Sequence, residues 1–151
     1  MKKLLKTLPI FLAFCLIAMV ALAQSPIGTW ETVDDETGKV RSVVEIYEQD
    51  GKLFGKILEL RNRTADEDPD PVCDDCDEDD PRYNQRVVGM VILTDLEKES
   101  DTEWEDGEIL DPKNGSVYSC YIELEEPDKL LVRGYIGFSL LGRTQYWHRV
   151  K

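Results

Sequence analysis

Side chains suited to redox, metal or acid–base work gather in one stretch of this chain. Cys73-Asp74-Asp75-Cys76 carries the C-x-x-C spacing that serves redox pairs, zinc half-sites and small disulfides. A redox pair wants a helix N-terminus or nearby cations to lower a thiol pKa. Here Asp74, Asp75, Asp77, Glu78 and Asp79 crowd the sulfurs and push the other way. Zinc would need two further ligands, and His148 and Cys120 lie in remote segments. A disulfide clamping a loop competes with a metal half-site, and needs nothing beyond the two sulfurs. Just upstream, Asp66, Asp68 and Asp70 have D-x-D-x-D spacing, with Asp77 eleven positions after the first. That partly imitates a calcium loop, where several oxygens line a turning chain. Pro71 stands where such a loop needs Gly, and Asp77 is shorter than the usual Glu. The expectation is a solvated acidic run with weak calcium binding at most.

His148 is the only histidine, so any Ser-His-Asp or Cys-His arrangement would have to use it. It alternates with Trp147 in a strand-like segment and reads as an ordinary strand side chain. No nucleophile elbow, phosphate loop or metalloprotease motif occurs. Carboxylates are abundant enough for a paired-carboxylate hydrolase, yet no spacing singles out a pair. The sequence therefore assigns no catalytic residue and implies no cofactor.

Compartment comes from the start of the chain. Lys2, Lys3 and Lys6 precede the apolar run Ile10 to Leu22, and Ala21-Leu22-Ala23 forms an A-x-A cleavage site before Gln24. The run is shorter than the roughly 20 residues of a spanning helix. Phe14 before Cys15 argues against lipidation, which needs a small residue there. Residues 1–23 are expected to be a signal peptide, leaving a periplasmic or secreted domain without a membrane span. Removing 23 of the 151 residues leaves 128, enough for one domain with its own core. Three of the 18 basic residues go with the signal, against 31 acidic ones that stay, so the formal charge becomes −16. Such a charge repels nucleic acid and anionic lipid. Three cysteines remain, an odd number in a disulfide-permissive compartment.

The elements that must position these residues are strands. Helical periodicity is nearly absent from the remaining 128 residues. Segments rich in Val, Ile, Tyr and Trp recur near 28–33, 41–49, 52–61, 86–94, 102–104, 107–111, 116–125, 129–137 and 142–150. Asp50-Gly51, Pro112-Lys113-Asn114-Gly115 and Pro127-Asp128 supply the turns between neighbours. Tyr118, Cys120, Ile122 and Leu124 share one face, as do Leu130, Val132, Gly134 and Ile136. This is the two-residue period of antiparallel sheet. Residues 87–93 are apolar on both faces. From Thr64 to Tyr83 the pattern breaks: ten acidic residues, three prolines and two cysteines form a long acidic loop. About eight consecutive strands without helical crossovers imply an up-and-down antiparallel barrel, with a two-sheet sandwich as competitor. In such a barrel the first and last strands meet. Trp30 of Gly28-Thr29-Trp30 and an arginine of the last strand, Arg149 or Arg143, are then placed to stack, with Trp147 on the same strand face.

Taken in order, several segments resemble a small exported bacterial family catalogued as a domain of unknown function. They are Gly28-Thr29-Trp30, Val43 to Tyr47, Gly55-Lys56-Ile57, Cys73 with Cys76, and Ile109 to Pro112 with Asn114-Gly115. Leu131 to Gly137, running into Leu141 to Gln145 and Trp147, carries the most. That family looks like a relative of the lipocalins and fatty-acid-binding proteins. The resemblance implies a lipocalin-like barrel in which Gly28 and Trp30 match the G-x-W motif and Arg149 or Arg143 is the stacking arginine.

The functional expectation is a non-enzymatic exported protein holding a small, mostly apolar ligand in the barrel or at its mouth. Phe138, Leu140 and Leu141, with Tyr135, are expected to form the apolar lip that receives it. The alternative is a cell-envelope protein–protein interaction module with a filled barrel core, using apolar surface around 87–93 and 138–141. Either a monomer or a homodimer fits. A hydrolase with two converging carboxylates is the third reading.

Overall fold

A computed structural model describes residues 24–151; the export signal expected over 1–23 lies outside the described residues. Eight strands follow one another: β1 (Gly28–Val33), β2 (Val40–Gln49), β3 (Lys52–Leu60), β4 (Val91–Lys98), β5 (Glu103–Asp111), β6 (Ser116–Glu126), β7 (Lys129–Tyr135) and β8 (Gly142–Arg149). Each pairs antiparallel with the next, and β1 pairs with β8, so the sheet closes into a barrel in chain order. No helix occurs among the described residues. The class is all-β, as the two-residue periodicity implies. Cys120, Ile122 and Leu124 of β6 and Leu130 and Val132 of β7 are buried inside the barrel. Their polar neighbours take the outer face.

Turn chemistry fixes the hairpins. Asp50 and Gly51 adopt positive φ values of 53° and 79°, the twist that a two-residue hairpin needs. Asp95 in β4 and Asp106 in β5 are also left-handed, with φ of 58° and 56°. They lie between the partners Thr94↔Glu108 and Glu97↔Glu105, so both strands bend at the same height. That bend corrects one expectation. Segments 102–104 and 107–111 are a single strand, β5, whose register shifts between Trp104 and Gly107. A second correction concerns 86–94. The strand begins at Val91, while Val87 and Met90 lie buried ahead of it in the preceding connection. Residues 87–93 are apolar on both sides because both are covered or half-covered.

Connections alternate between the two ends of an up-and-down barrel. The chain entry, the chain exit and the tight turns β2–β3, β4–β5 and β6–β7 share one end. The β1–β2, β3–β4, β5–β6 and β7–β8 connections share the other. The longest of these, residues 61–90, is tied down along its length. Val72 bridges Arg86, and the Cys73 N–H donates to the Gln85 carbonyl and the Val87 N–H to the Pro71 carbonyl, both at 2.9 Å. Cys73 and Cys76 form a disulfide, and both sulfur-bearing residues are buried. The expectation of a solvated run therefore holds for the acidic side chains only. Gly115, at φ 70°, lets the β5–β6 turn press against the Asp75 carbonyl; a Cβ there would collide with backbone.

Candidate functional site

The two ends of the barrel are built differently, and strand β8 runs from one to the other. At the end bearing the chain entry, Arg149 pairs across the closing seam with Trp30. Its guanidinium lies 4.2 Å from the Trp30 ring centroid. The same group donates to the carbonyls of Pro127 (2.7 Å), Ile27 (3.0 Å) and Ser25 (2.8 Å). Trp30 is fully buried and its indole N–H donates to the Pro26 carbonyl at 2.8 Å. Gly28 has φ 135°, and a Cβ there would sit 2.6 Å from Arg149 Nη1. The glycine is what lets the guanidinium lie flat over the chain entry. Three of the five guanidinium N–H groups and one face of the indole are thus engaged in closing the chain entry.

Moving along β8, the inward side chains after Arg149 are Trp147, Gln145 and Arg143, and they mark successive depths. Trp147 is buried and does not join the Trp30–Arg149 stack; its indole N–H donates to Gln145 Oε1 at 3.3 Å. Together with Leu110 and Val132 it lines the inside of an open cavity of about 510 Å³. Ile57, Ile92 and Tyr118 add to the wall. The half of the barrel towards the closed end is instead filled by Val44, Ile46, Leu53, Leu93, Leu96, Ile122, Leu124 and Leu130, all in one buried cluster. Gly134 helps make the difference: a Cβ there would meet Ile109 at 3.2 Å, so the missing side chain widens the upper lumen. Polar groups lie mainly towards the mouth, with Thr32, Ser42, Tyr118 and Gln145 also in the wall. Thr32 and Ser42 share a 2.7 Å hydroxyl–hydroxyl bond, which leaves one hydroxyl proton of the pair available.

Arg143, the other candidate for the stacking arginine, does not serve the closure. It lies at the open end, ion-paired with Asp35, which also accepts from Gln145 Nε2 at 3.5 Å. Six residues along one strand face cover more than half the barrel height, so the two arginines cannot serve one stack. Arg41, Arg63 and Lys113 join Arg143 around the mouth, together with Asp34, Glu36 and Asp111. Arg63 pairs with Glu67 at 2.6 Å and Arg41 with Asp34 at 3.8 Å. The Thr37 backbone N–H donates to the Asp34 carboxylate, reinforced by the Thr37 hydroxyl, and holds its pKa below the ordinary aspartate value. The rim mixes acidic and basic side chains, several of them ion-paired, around a more apolar shaft.

The other sequence-selected residues separate into groups. Tyr135 and Leu141 line the cavity mouth. Phe138 and Leu140 lie on the β7–β8 apex and face outward, 57% and 82% exposed. The Cys73–Cys76 disulfide packs against the mouth, with Cys73 Sγ 3.6 Å from the Pro112 carbonyl oxygen. Asp66, Asp68, Asp70 and Asp77 do not come together. Asp70 pairs with Arg86 at 2.8 Å, while Asp68 and Asp77 accept the N–H groups of Asp70 and Asp79. No group of three His, Cys, Asp or Glu side chains among the described residues suits a metal ion. His148 is exposed on the outer face of β8. Cys120 is buried, and burial pushes its thiol pKa up to about 12, an inert value. The lumen residues Tyr118, Gln145, Ile57 and Ile92 and the rim cations escaped the sequence reading. Alternation identified the strand faces, but without the register it could not say which end of each face stays open.

A closed eight-stranded barrel with one clamped end and one open apolar lumen defines a lipocalin-like protein. Residues 28–149 match the family model described as "Uncharacterized protein conserved in bacteria (DUF2147)", and the chain belongs to this family. Among solved structures it is similar to protein HP1028 from Helicobacter pylori, described as belonging to the lipocalin family. The two share 20% identity over 84% of each chain, with a TM-score of 0.70. At that identity the likeness speaks for the fold. No curated protein matches the chain.

Proposed function

We propose that this protein is an exported, non-enzymatic binding protein that holds a small, mostly apolar molecule in the open half of its barrel. The observation that carries the reading is the 510 Å³ lumen, in the size range of small-molecule sites and walled by Leu110, Val132, Ile57 and Trp147. A protein that needed only a stable barrel gains by filling that space, because each buried CH₂ contributes about 0.8 kcal/mol. Binding works by taking the ligand's apolar surface out of water, while Tyr118, Gln145 and the rim ion pairs receive any polar end. Export accords with the amino-terminal signal pattern and with the Cys73–Cys76 disulfide.

The interaction-module reading loses one of its two surfaces, since Val87, Met90, Ile92 and Leu93 are buried. A hydrolase would need one carboxyl group kept protonated beside a second. Glu103 is raised beside Glu105 and Glu123, but none of the three lines the cavity, and at the mouth the Asp34 carboxyl is held in its ionised form. Saturable titration with an apolar fluorescent probe, alongside native mass spectrometry of the freshly purified protein, tests the binding reading. Ile109→Trp, which fills the lumen from its side wall, is expected to abolish probe binding while the protein stays folded. Absence of saturable binding in the parent protein, with no co-purifying mass, would overturn it.

A further inference from the structure

We propose that the β7–β8 apex docks the open end of the barrel onto a zwitterionic phospholipid surface. The four most exposed large apolar side chains among the described residues all lie within six consecutive positions. Ile136, Phe138, Leu140 and Leu141 are 67%, 57%, 82% and 60% exposed, and the next, Ile27 at the far end, is 45%. Scattered single apolar residues are ordinary on a soluble surface; a run concentrated on one protruding tip is not.

Part of the apex backbone is paired within the hairpin, which lowers the cost of approaching an apolar medium. Leu141 N–H donates to the Phe138 carbonyl and Ile136 N–H to the Leu141 carbonyl, both at 3.0 Å. Arg133 then reaches along the hairpin and donates to the Ser139 carbonyl at 2.7 Å and the Leu140 carbonyl at 3.4 Å, while its Nη1 holds Thr144 Oγ1 at 2.8 Å. One side chain thus covers two of the apex carbonyls from behind and leaves the apolar side chains facing outward. Gly137, at φ 74°, permits the tight turn.

Size and charge select the partner. Four side chains on a convex tip fall far short of the roughly 800 Å² per partner that a stable protein interface buries. A bilayer asks only that a few apolar side chains pass the headgroups. Around the mouth Asp34, Asp35, Glu36 and the ten acidic residues of 64–83 outnumber Lys39, Arg41, Arg61, Arg63, Arg82, Arg86, Lys113 and Arg143, so the net charge stays negative, anionic headgroups are repelled and zwitterionic ones accepted. Ile136 and Leu141 also line the lumen mouth, so docking sets the cavity against the hydrocarbon boundary. The proposal goes beyond lumen binding and is read out separately from it.

Flotation with phosphatidylcholine–phosphatidylethanolamine vesicles tests it. The parent protein is expected to float, and about tenfold less with half-anionic phosphatidylglycerol vesicles at low salt. Phe138→Ser/Leu140→Ser changes two exposed residues outside the cavity lining. It should abolish flotation while leaving the thermal melt and the lumen probe titration unchanged. Phe138→Trp adds an insertion reporter, because Trp30, Trp104 and Trp147 are at most 8% exposed. Brominated acyl chains should quench the added indole and spare the native ones. Failure of the parent protein to float on zwitterionic vesicles, or an added indole no better quenched than the native three, overturns the proposal. So does a concentration-dependent dimer that the double substitution dissolves, which would assign the tip to a second copy of this chain.

Discussion

Two arginines on one face of β8, six residues apart, do opposite work. Arg149 is spent entirely on structure: three backbone carbonyls and one indole face take up its guanidinium. Arg143 is 64% exposed and answers to one carboxylate, that of Asp35, itself well exposed. Surroundings account for the contrast. The closed end offers carbonyls freed by the chain entry and a turn, and a planar fork of donors matches several carbonyls at once. The open end offers only mobile carboxylates in water, where an ion pair contributes little. Identical side chains thus mark the rigid and the adaptable pole of one barrel.

The largest expected effect falls on the closed pole. Trp30→Ala should cost about 3–5 kcal/mol in urea-denaturation stability, since it empties a fully buried site and removes the platform under Arg149. Arg149→Lys should recover little of what Arg149→Ala loses, about 2–3 kcal/mol, because an ammonium cannot span three carbonyls and stack. Full rescue by lysine would show that charge alone closes the barrel. At the open pole, reducing the Cys73–Cys76 bridge should cost about 2 kcal/mol by the loop-entropy relation and loosen the mouth. A thiol-reactive probe should then titrate those two sulfurs and spare Cys120, whose pKa is pushed up to about 12 by burial. Arg143→Ala should shift stability by less than about 1 kcal/mol. A larger loss would erase the distinction between the poles.

The smallest effect lies on the outer wall near the closed end. Glu103 faces Glu123 across the β5–β6 pairing. Its pKa is raised above the usual glutamate value, first by partial burial and then by Glu105 and Glu123. A raised carboxyl binds its proton more tightly in the folded than in the unfolded state. It therefore favours folding below the unfolded pKa, and this contribution is lost as pH rises through the folded one. Glu103→Gln should raise the melting temperature slightly at neutral pH, with the gain vanishing in mild acid. A gain that persists unchanged in acid would trace to packing instead of charge.

Sequence patterning reached the barrel and the residue at its clamp because both rest on local signals. Alternation in 116–125 and 129–137, the Asp50-Gly51 turn and the paired Trp and Arg at the first and last strands are all written in neighbouring residues. The lumen was not legible in the same way. Whether Trp147 joins the stack or lines the cavity depends on register, which moves it one layer up from Arg149. Whether the upper half is empty depends on what Gly134, Val132 and Ser42 leave unfilled across three separate strands. The β5 bend hid a continuous strand because Asp106 and Gly107 look like a turn when read alone. The acidic run likewise concealed that its two cysteines face the β5–β6 turn.

Arg149 bonds to the carbonyl of Ser25, 124 residues away in the chain. That distance makes the clamp a timer. Until β8 is available, β1 through β7 form an open sheet with two unpaired edges, and no local contact can stand in for the missing seam. The group that seals the barrel is supplied by the barrel's eighth strand, so a chain emerging amino-terminus first cannot close this barrel before that strand arrives. The same dependence leaves the unfinished sheet in need of protection from its own edges until that strand arrives.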